Sequence, residues 1–321
     1  GCGRRQGRPR GQRVTSTDDD DEDDDDEFGI WPDLVGLGLT LAILLVLLGF
    51  LGWLHPIGDV LAVGRGYAVA AVLVLAIAAS VLGMRVAAFW SILFALLAGT
   101  PVVLATLWPG PSGAVLLYQK NLRFDNAELA ALEADIRQAD PVALTLQEVS
   151  DPNRALLASL SDRFPYQLVC DFAAVGAVAV ATRLTPVPGA EVCGPGLAAM
   201  RVIVKDTQGE TRVWVVSIHL HWPWPYGQPD QVEELLPVLE RLEGPVLMAG
   251  DFNMVRWAAS VRSLARAARV TPAGPSNGTF LGFAPILRLP IDHAFAPASG
   301  RLELRPALGS DHLGVLAWLG P

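Results

Sequence analysis

The sequence predicts an α/β domain preceded by three membrane-spanning helices, and two observations support this prediction. The first is a set of three long apolar runs, 34–54, 66–83 and 86–107, near the start of the 321-residue chain. The second is an alternation of short strand patterns and helical patterns from Ala114 to the end of the chain. Alternating strands and helices around apolar runs indicate sheets that are covered by helices.

The three apolar runs are each long enough to cross a membrane. A hydrocarbon core about 30 Å thick requires about 20 apolar residues in a helix, and the first run has 21 residues without a charge. Buried helices of a soluble protein are the alternative. The runs contain glycine and Pro101 and lack a polar stripe, and this pattern favours membrane spans.

The basic residues predict the orientation of these spans. Five arginines precede the first run, and Arg85 lies between the second and the third. Lysine and arginine collect on the cytoplasmic side of membrane proteins. The chain is therefore predicted to be a multi-pass protein of the cell membrane, with its N-terminus in the cytoplasm and everything after Leu107 outside.

Three regions follow from this topology: a cytoplasmic tail at 1–33, three transmembrane helices at 34–108 and an extracytoplasmic domain at 109–321. The tail contains ten consecutive acidic residues, Asp18 to Glu27. These charges repel one another, so the run is expected to stay disordered. A solvated spacer is the simplest interpretation, and a contact with a cation or a protein is the alternative.

The charge and the cysteines of the outer region limit its function and its environment. From Ala114 to Pro321 there are 17 Lys+Arg and 21 Asp+Glu, a net charge of −4, which is not the basic footprint of a nucleic-acid binder. Two of the three cysteines, Cys170 and Cys193, lie in this region. An oxidising compartment would permit them to pair, and the sequence leaves both the paired and the free states open.

Polar side chains occur where the predicted strands end, which is where open sheets hold their sites. Each has an ordinary explanation when it is taken alone: a glutamate can end a strand at the surface, and an Asp and Asn turn can satisfy its own backbone. However, four of the five histidines fall in these segments. The candidate residues in chain order are Asn121, Glu148, His219, Asp251, Asn253, Asp292, Asp311 and His312.

Taken in order, the segments YQKN, LQEV, VATRLTP, SIHL, GDFN, IDH and SDH resemble the motifs of the endonuclease/exonuclease/phosphatase superfamily. These metal-dependent phosphoesterases include DNase I and the sphingomyelinases. The resemblance covers roughly Val115 to Leu319 and implies a four-layered α/β sandwich of the DNase I type. Lys120 departs from the pattern, because the residue before Asn121 is usually aromatic in that family.

The resemblance also implies a set of roles. Asn121, Glu148 and Asp311 would hold Mg²⁺, with Mn²⁺ as the alternative, through the oxygen ligands that hard cations prefer. Asp251, oriented by Asn253, would align and deprotonate the attacking water.

Three histidines and an arginine complete the implied site. His312, held by Asp292, would contact the phosphoryl oxygens, and His219 would serve the leaving group. His221, two residues further along the same strand face, is a second candidate for that last role. The predicted substrate-binding residues are Arg183, His221, Trp222 and Trp224.

The segment HWPWPYG places Trp222, Trp224 and Tyr226 directly after the histidines. Tryptophan and tyrosine favour the interface between membrane and water, so this loop is predicted to enter the lipid headgroups. The alternatives are that these rings cover the domain's own core or stack on a nucleic-acid base.

The predicted substrate is a phosphoester or pyrophosphate at the outer membrane face. Only about seven residues join the last span to the first strand, a reach of at most about 25 Å, so the domain must stay near the bilayer. The architecture resembles that of actinobacterial teicoplanin-resistance membrane proteins, which implies a lipid phosphate such as undecaprenyl pyrophosphate. The alternatives are an extracellular nuclease that uses Arg256, Arg262, Arg266 and Arg269, and a catalytically silent binding or sensor protein.

Overall fold

The structure is a computed structural model and describes residues 1–3, 29–206, 209–282 and 288–321. The arginine-rich tail and the acidic run that the sequence analysis singled out, within 4–28, lie outside the described residues.

The apolar part of the chain forms four helices: α1 (Trp31–Leu48), α2 (Ile57–Val63), α3 (Arg65–Val81) and α4 (Arg85–Leu107). By length and composition α1 and α4 could each cross a membrane, and the pair α2 and α3, bent by 64°, could form a third crossing. Small side chains bury the contacts between α1, α3 and α4, among them Ala42, Ala76 and Ala95, while large apolar side chains on their outer faces stay exposed.

The first apolar run, 34–54, is helical only as far as Leu48. Residues 49–56 turn back, and the short helix α2 then leads into α3. Gly52 permits this turn, because a Cβ at this position would collide with the Asp59 carboxylate. The predicted first span is therefore shorter than its apolar run, and the remainder of the run forms a loop.

The described residues from Val115 onward form twelve strands in two six-stranded sheets. The first sheet has the order β11-β12-β1-β2-β4-β3 and the second the order β5-β6-β7-β8-β10-β9. The strands are β1 (Val115–Asn121), β2 (Ala143–Val149), β3 (Tyr166–Ala173), β4 (Gly176–Thr182), β5 (Pro186–Gly194), β6 (Leu197–Asp206), β7 (Gly209–His219), β8 (Val246–Asp251), β9 (Thr271–Pro272), β10 (Asp292–Ala296), β11 (Gly300–Arg305) and β12 (Gly314–Leu319).

Helices cover the outer face of each sheet. Helices α5 (Leu129–Ala139) and α6 (Arg154–Ser159) follow strands of the first sheet, and α7 (Gln228–Glu240) and α8 (Ala259–Ala267) follow strands of the second. Helix α7 buries Val232, Leu235 and Leu239, the spacing of one helical face. An apolar core, which includes Leu117, Val180 and Val215, fills the space between the two sheets. The predicted four-layered α/β sandwich is confirmed.

A disulfide joins Cys170 of β3 to Cys193 of β5 with a Cα–Cα distance of 5.5 Å. These are edge strands of different sheets, so the bond links the two halves of the sandwich at one side. Of the two states that the sequence leaves open, the structure has the paired one, which is typical of an oxidising compartment.

Replacing both cysteines should destabilise the domain without changing its topology. Closing a loop with a sequence separation of 23 residues contributes about 3 kcal/mol through the unfolded state. We expect Cys170→Ser with Cys193→Ser to lower the urea midpoint of the purified protein, and Cys2→Ser, at the exposed free cysteine, to leave it unchanged. Equal midpoints for the double variant and the wild type would contradict this expectation.

Candidate active site

Three residues of the second sheet lie side by side because of the strand register. Strand β7 runs parallel to β8, which pairs His219 with Asp251. Strand β10 runs antiparallel to β8, so its first residue, Asp292, pairs with Asp251 from the other side. The end of two strands and the start of the third therefore meet at one edge of the sheet.

The first sheet brings Asn121 and Glu148 to the same place. Strands β1 and β2 are parallel and pair Asn121 with Gln147. The register with β4 then shifts between Leu146 and Val149, and Glu148 has a φ of 54°. This irregularity re-aims the side chain. It requires Gly176 opposite, because a Cβ there would lie 2.9 Å from the Glu148 carbonyl carbon.

The Asp251 carboxylate is at the centre of the site. Its Oδ1 accepts a hydrogen bond from the Asn253 backbone N–H at 2.8 Å, and its Oδ2 accepts one from the Asn121 side chain at 3.0 Å. The Nε2 atoms of His219 and His312 each lie 3.7 Å from the same Oδ2. Burial raises the pKa of Asp251, and the charge on His312 opposes that rise.

His312 and Asp292 form a buried pair, with 2.8 Å between His312 Nδ1 and Asp292 Oδ2. Burial by itself lowers the pKa of His312, but the charges of Asp292 and Asp251 outweigh it and raise this pKa to about 9. His312 is therefore cationic at neutral pH. The Asp292 carboxylate stabilises that charge and fixes which ring nitrogen faces Asp251.

His219 has the opposite protonation state. Burial, followed by the charge of His312, lowers the pKa of His219 to about 3, so this imidazole is neutral at neutral pH. Its ring meets the edge of Phe172 at a centroid distance of 5.5 Å. Among the described residues its Nδ1 has no hydrogen-bond partner. The site thus combines one cationic and one neutral histidine.

The surroundings of Glu148 fit a divalent cation. Its two carboxylate oxygens accept hydrogen bonds from the Asn121 side chain at 3.0 Å and from the Phe124 backbone at 2.9 Å. Burial raises the pKa of Glu148, and the nearby charge of Asp311 raises it further. No lysine or arginine of the described residues forms an ion pair with Glu148. Two like charges beside one pocket are most stable next to a cation, and carboxylate oxygens are the ligands that Mg²⁺ prefers.

A second group could also hold a metal, since ligand atoms of Asp251, Asp292 and His312 lie within 4.8 Å of one another. Both oxygens of Asp292 are already used there, because Oδ1 accepts from Gln119 and Oδ2 pairs with His312. A metal ion there would also have to displace the proton of His312, whose pKa is raised. We therefore favour Glu148 and Asp311 as the metal ligands.

Most of the predicted site residues line one pocket of about 420 Å³. One wall is aromatic: the His221 ring lies 4.7 Å from Phe172, and Trp222 meets Phe280 at 5.7 Å. The predicted site residues that line the pocket are Glu148, His219, His221, Trp222, Asp251, Asn253, Asp311 and His312.

Two predicted substrate-binding residues lie outside this pocket. Arg183 follows Thr182, which pairs with the first residue of β2, and its guanidinium bonds to Asp140 at 2.7 Å. It therefore lies at the opposite end of β2 from Glu148. Trp224 turns away from the pocket and meets His55 of the loop after α1 at 5.6 Å.

Sequence reasoning missed the buried polar side chains that connect the two sheets beneath the site. Gln119 donates to Gln147 and to Asp292, each at 2.9 Å, and Gln147 donates to Ser217 at 3.0 Å. The sequence contains a signal for them, because glutamines inside otherwise apolar strands need hydrogen-bond partners when they are buried. These bonds fix Asp292, which in turn fixes His312.

Lys120, the departure from the family motif, is fully buried. Its ammonium donates to the carbonyl oxygens of Ala307 at 2.6 Å and His312 at 2.5 Å, and to that of Pro306 at 3.3 Å. It therefore anchors the segment that carries Asp311 and His312.

Lys120→Met should lower the turnover rate about 100-fold, because small displacements of a catalytic group have effects of this size. The variant and the wild type would be compared for hydrolysis rate and for thermal unfolding. Lys205→Met is the matched control, since Lys205 is exposed and pairs with Glu210. An unchanged rate in a folded Lys120→Met protein would show that the anchor is dispensable.

Comparisons with known proteins identify the family of the chain. A family model described as the Endonuclease/Exonuclease/phosphatase family matches residues 118–312. No curated protein matches the chain significantly.

Among solved structures the chain is similar to the catalytic domain of human nocturnin with a bound sulfate anion, at 15% identity and a TM-score of 0.48, over 63% of this chain and 92% of that one. It is also similar to sphingomyelinase C from Streptomyces griseocarneus, at 17% identity and a TM-score of 0.44, over 65% of this chain and 100% of that one. The family match spans more than half of the sequence. The chain belongs to the Endonuclease/Exonuclease/phosphatase family.

Proposed function

We propose that the chain hydrolyses a phosphate ester or pyrophosphate of a membrane lipid at the outer face of the cell membrane. Membership of the family makes it a metal-dependent phosphoester hydrolase. The position of one loop supports a lipid as the substrate. Trp222 lines the catalytic pocket, and Trp224, two residues later, packs on the loop that follows α1.

In this proposal Glu148 and Asp311 hold the cation, with Mg²⁺ as the expected ion. When bound, the ion would polarise a phosphoryl oxygen and stabilise the negative charge that develops on it. The amide of Asn121 orients both Glu148 and Asp251 by donating to each. Its own oxygen already accepts from the Arg123 backbone N–H, so an organising role suits Asn121 better than direct ligation.

The remaining side chains activate the attacking water and stabilise the phosphoryl and leaving oxygens. Asp251, oriented by the Asn253 backbone, aligns and deprotonates the attacking water. Cationic His312 contacts the phosphoryl oxygens, where a positive charge is most useful. Neutral His219 remains beside the leaving oxygen, where its ring N–H can donate a hydrogen bond to it. His221 is exposed and stacks on Phe172, so we assign it to substrate binding.

The contacts between the helices and the domain support the proposed topology. Asp59 accepts backbone hydrogen bonds from Ala259 and Ser260, at 2.7 and 2.8 Å, and the Ala105 carbonyl accepts one from Ser276 at 2.8 Å. Helix α2 and the end of α4 therefore both touch the domain. Three crossings with a cytoplasmic N-terminus would place these two segments on the outer side together.

Exposed aromatic side chains near both ends of the helices also support a membrane location. Trp53 and Trp108 are 74% and 51% exposed beside the domain, and Trp31 and Trp90 are each 61% exposed at the other end. Tryptophan at both levels is typical of the two membrane interfaces.

The nuclease alternative is weakened by the basic residues on which it depends. Arg256 is buried and donates to the carbonyls of Ala273 and Ala105, and Arg269 donates to that of Leu242. Both guanidinium groups serve the fold. Since DNA affinity comes largely from phosphate neutralisation by such side chains, the remaining patch is a poor footprint.

One assay distinguishes a lipid phosphoesterase from a nuclease and from a catalytically silent binding or sensor protein. The purified protein in detergent would be tested for phosphate release from undecaprenyl pyrophosphate and for nicking of plasmid DNA, with Mg²⁺ and with a chelator. We expect lipid hydrolysis that the chelator abolishes and Mg²⁺ restores. Asp251→Asn should reduce it about 1,000-fold, the scale of general base catalysis.

Asp151→Asn is the matched control, because this carboxylate is 99% exposed and lies outside the pocket. Plasmid nicking without lipid hydrolysis would favour the nuclease. No activity on either substrate, with Mg²⁺ or with Mn²⁺, would favour a catalytically silent binding or sensor protein.

A further inference from the structure

A second cavity, of about 380 Å³, lies where the apolar helices meet the domain. Its walls come from the loop after α1, the loop before α7, and helices α7 and α8. The lining side chains on which the argument depends are Trp53, Leu54, His55, Trp224, Val232 and Arg266. A volume of this size is typical of sites for small ligands.

The walls of this cavity are held in place by specific contacts. The buried Asp59 carboxylate accepts the first backbone N–H groups of α8, where the helix dipole favours a negative charge. Trp257 donates its indole N–H to the Ala62 carbonyl at 2.8 Å, and Ala62 is part of the domain core. The cavity is therefore a built feature of the junction.

The cavity and the catalytic pocket are neighbours on either side of one short loop. Trp222 lines the catalytic pocket, while Pro223 and Trp224 line the second cavity. A ligand with its phosphate beside Glu148 could thus lay a flexible tail across this loop into the cavity.

The chemistry of the cavity suits an apolar tail that enters from the bilayer. Trp53 and Leu54, which line it, are 74% and 67% exposed, and they follow α1 within six residues of its end at Leu48. Exposed apolar side chains directly after an apolar helix lie at the level of the membrane surface. Transfer of a tail from the bilayer to such a wall keeps its apolar surface away from water.

We propose that this cavity holds the apolar chain of the lipid whose phosphate is hydrolysed in the catalytic pocket. The inference rests on the proposed function and deepens it, because it assigns the substrate's chain a binding site of its own. It makes the enzyme selective for long-chain lipid phosphates over soluble phosphoesters.

Photolabelling tests the site without relying on activity. The full chain in nanodiscs would be irradiated with a diazirine-bearing dodecyl phosphate and mapped by mass spectrometry. We expect labels within 52–56, 223–232 and 259–266, removed by excess dodecyl phosphate and retained with butyl phosphate. Labels confined to the outer faces of α1, α3 and α4, without competition, would mean that the probe sees bulk lipid only, and would overturn the site.

Val232→Trp should fill the cavity, because Val232 is 7% exposed and lines it. We expect it to abolish the specific label and to raise KM for undecaprenyl pyrophosphate about tenfold, as the loss of about two buried methylenes would. KM for water-soluble butyl pyrophosphate should change less than about twofold, since its four carbons can bury little apolar surface in the cavity. The matched control is Val238→Trp on the same helix, where Val238 is half-buried and lies outside the cavity.

The two hypotheses fail differently. If the wild type hydrolyses the long-chain substrate and Val232→Trp changes neither the label nor KM, the chain site is wrong and the proposed function stands. If the wild type releases no phosphate but is labelled specifically, chain binding is supported and the proposed function is wrong.

Discussion

The hydrogen bond from the Asn121 amide to the Asp251 carboxylate, 3.0 Å long, is the contact on which the site depends. It joins the end of β1 in one sheet to the end of β8 in the other. Gln119 to Asp292 and Gln147 to Ser217 repeat the connection deeper between the sheets. Buried polar groups of this kind are costly unless they are paired, so these bonds hold the two sheets at the separation that closes the pocket.

A few buried hydrogen bonds also join the domain to its apolar helices. Asp59 caps α8, and Arg256 and Ser276 bond to the end of α4. Because these contacts involve buried backbone groups, the helices and the domain form one packed unit. A catalytic pocket fixed in this way has a constant position relative to the helices, which would suit the proposed lipid substrate.

Much of the fold could be predicted from continuous apolar strands such as β2, β4 and β8, whose residues are almost all buried. Strands β3 and β5 are harder to predict, because these edge strands are only partly buried and their apolar residues do not alternate regularly with polar ones. The motif order identified most pocket residues. It misplaced Arg183, since a motif does not reveal which end of a strand faces the site. The contact of Trp224 with His55 could not be predicted, because the two residues are distant in sequence.

We propose that Glu148 holds a cation beside Asp251 and the two histidines, in a pocket lined by both sheets, and the other proposed roles follow from this position. Anomalous diffraction from crystals grown with Mn²⁺ would locate the ion. We expect a single strong peak bound by the Glu148 carboxylate, and its loss in Glu148→Gln. A peak bound instead by Asp251, Asp292 and His312, or no peak at all, would rule out this site.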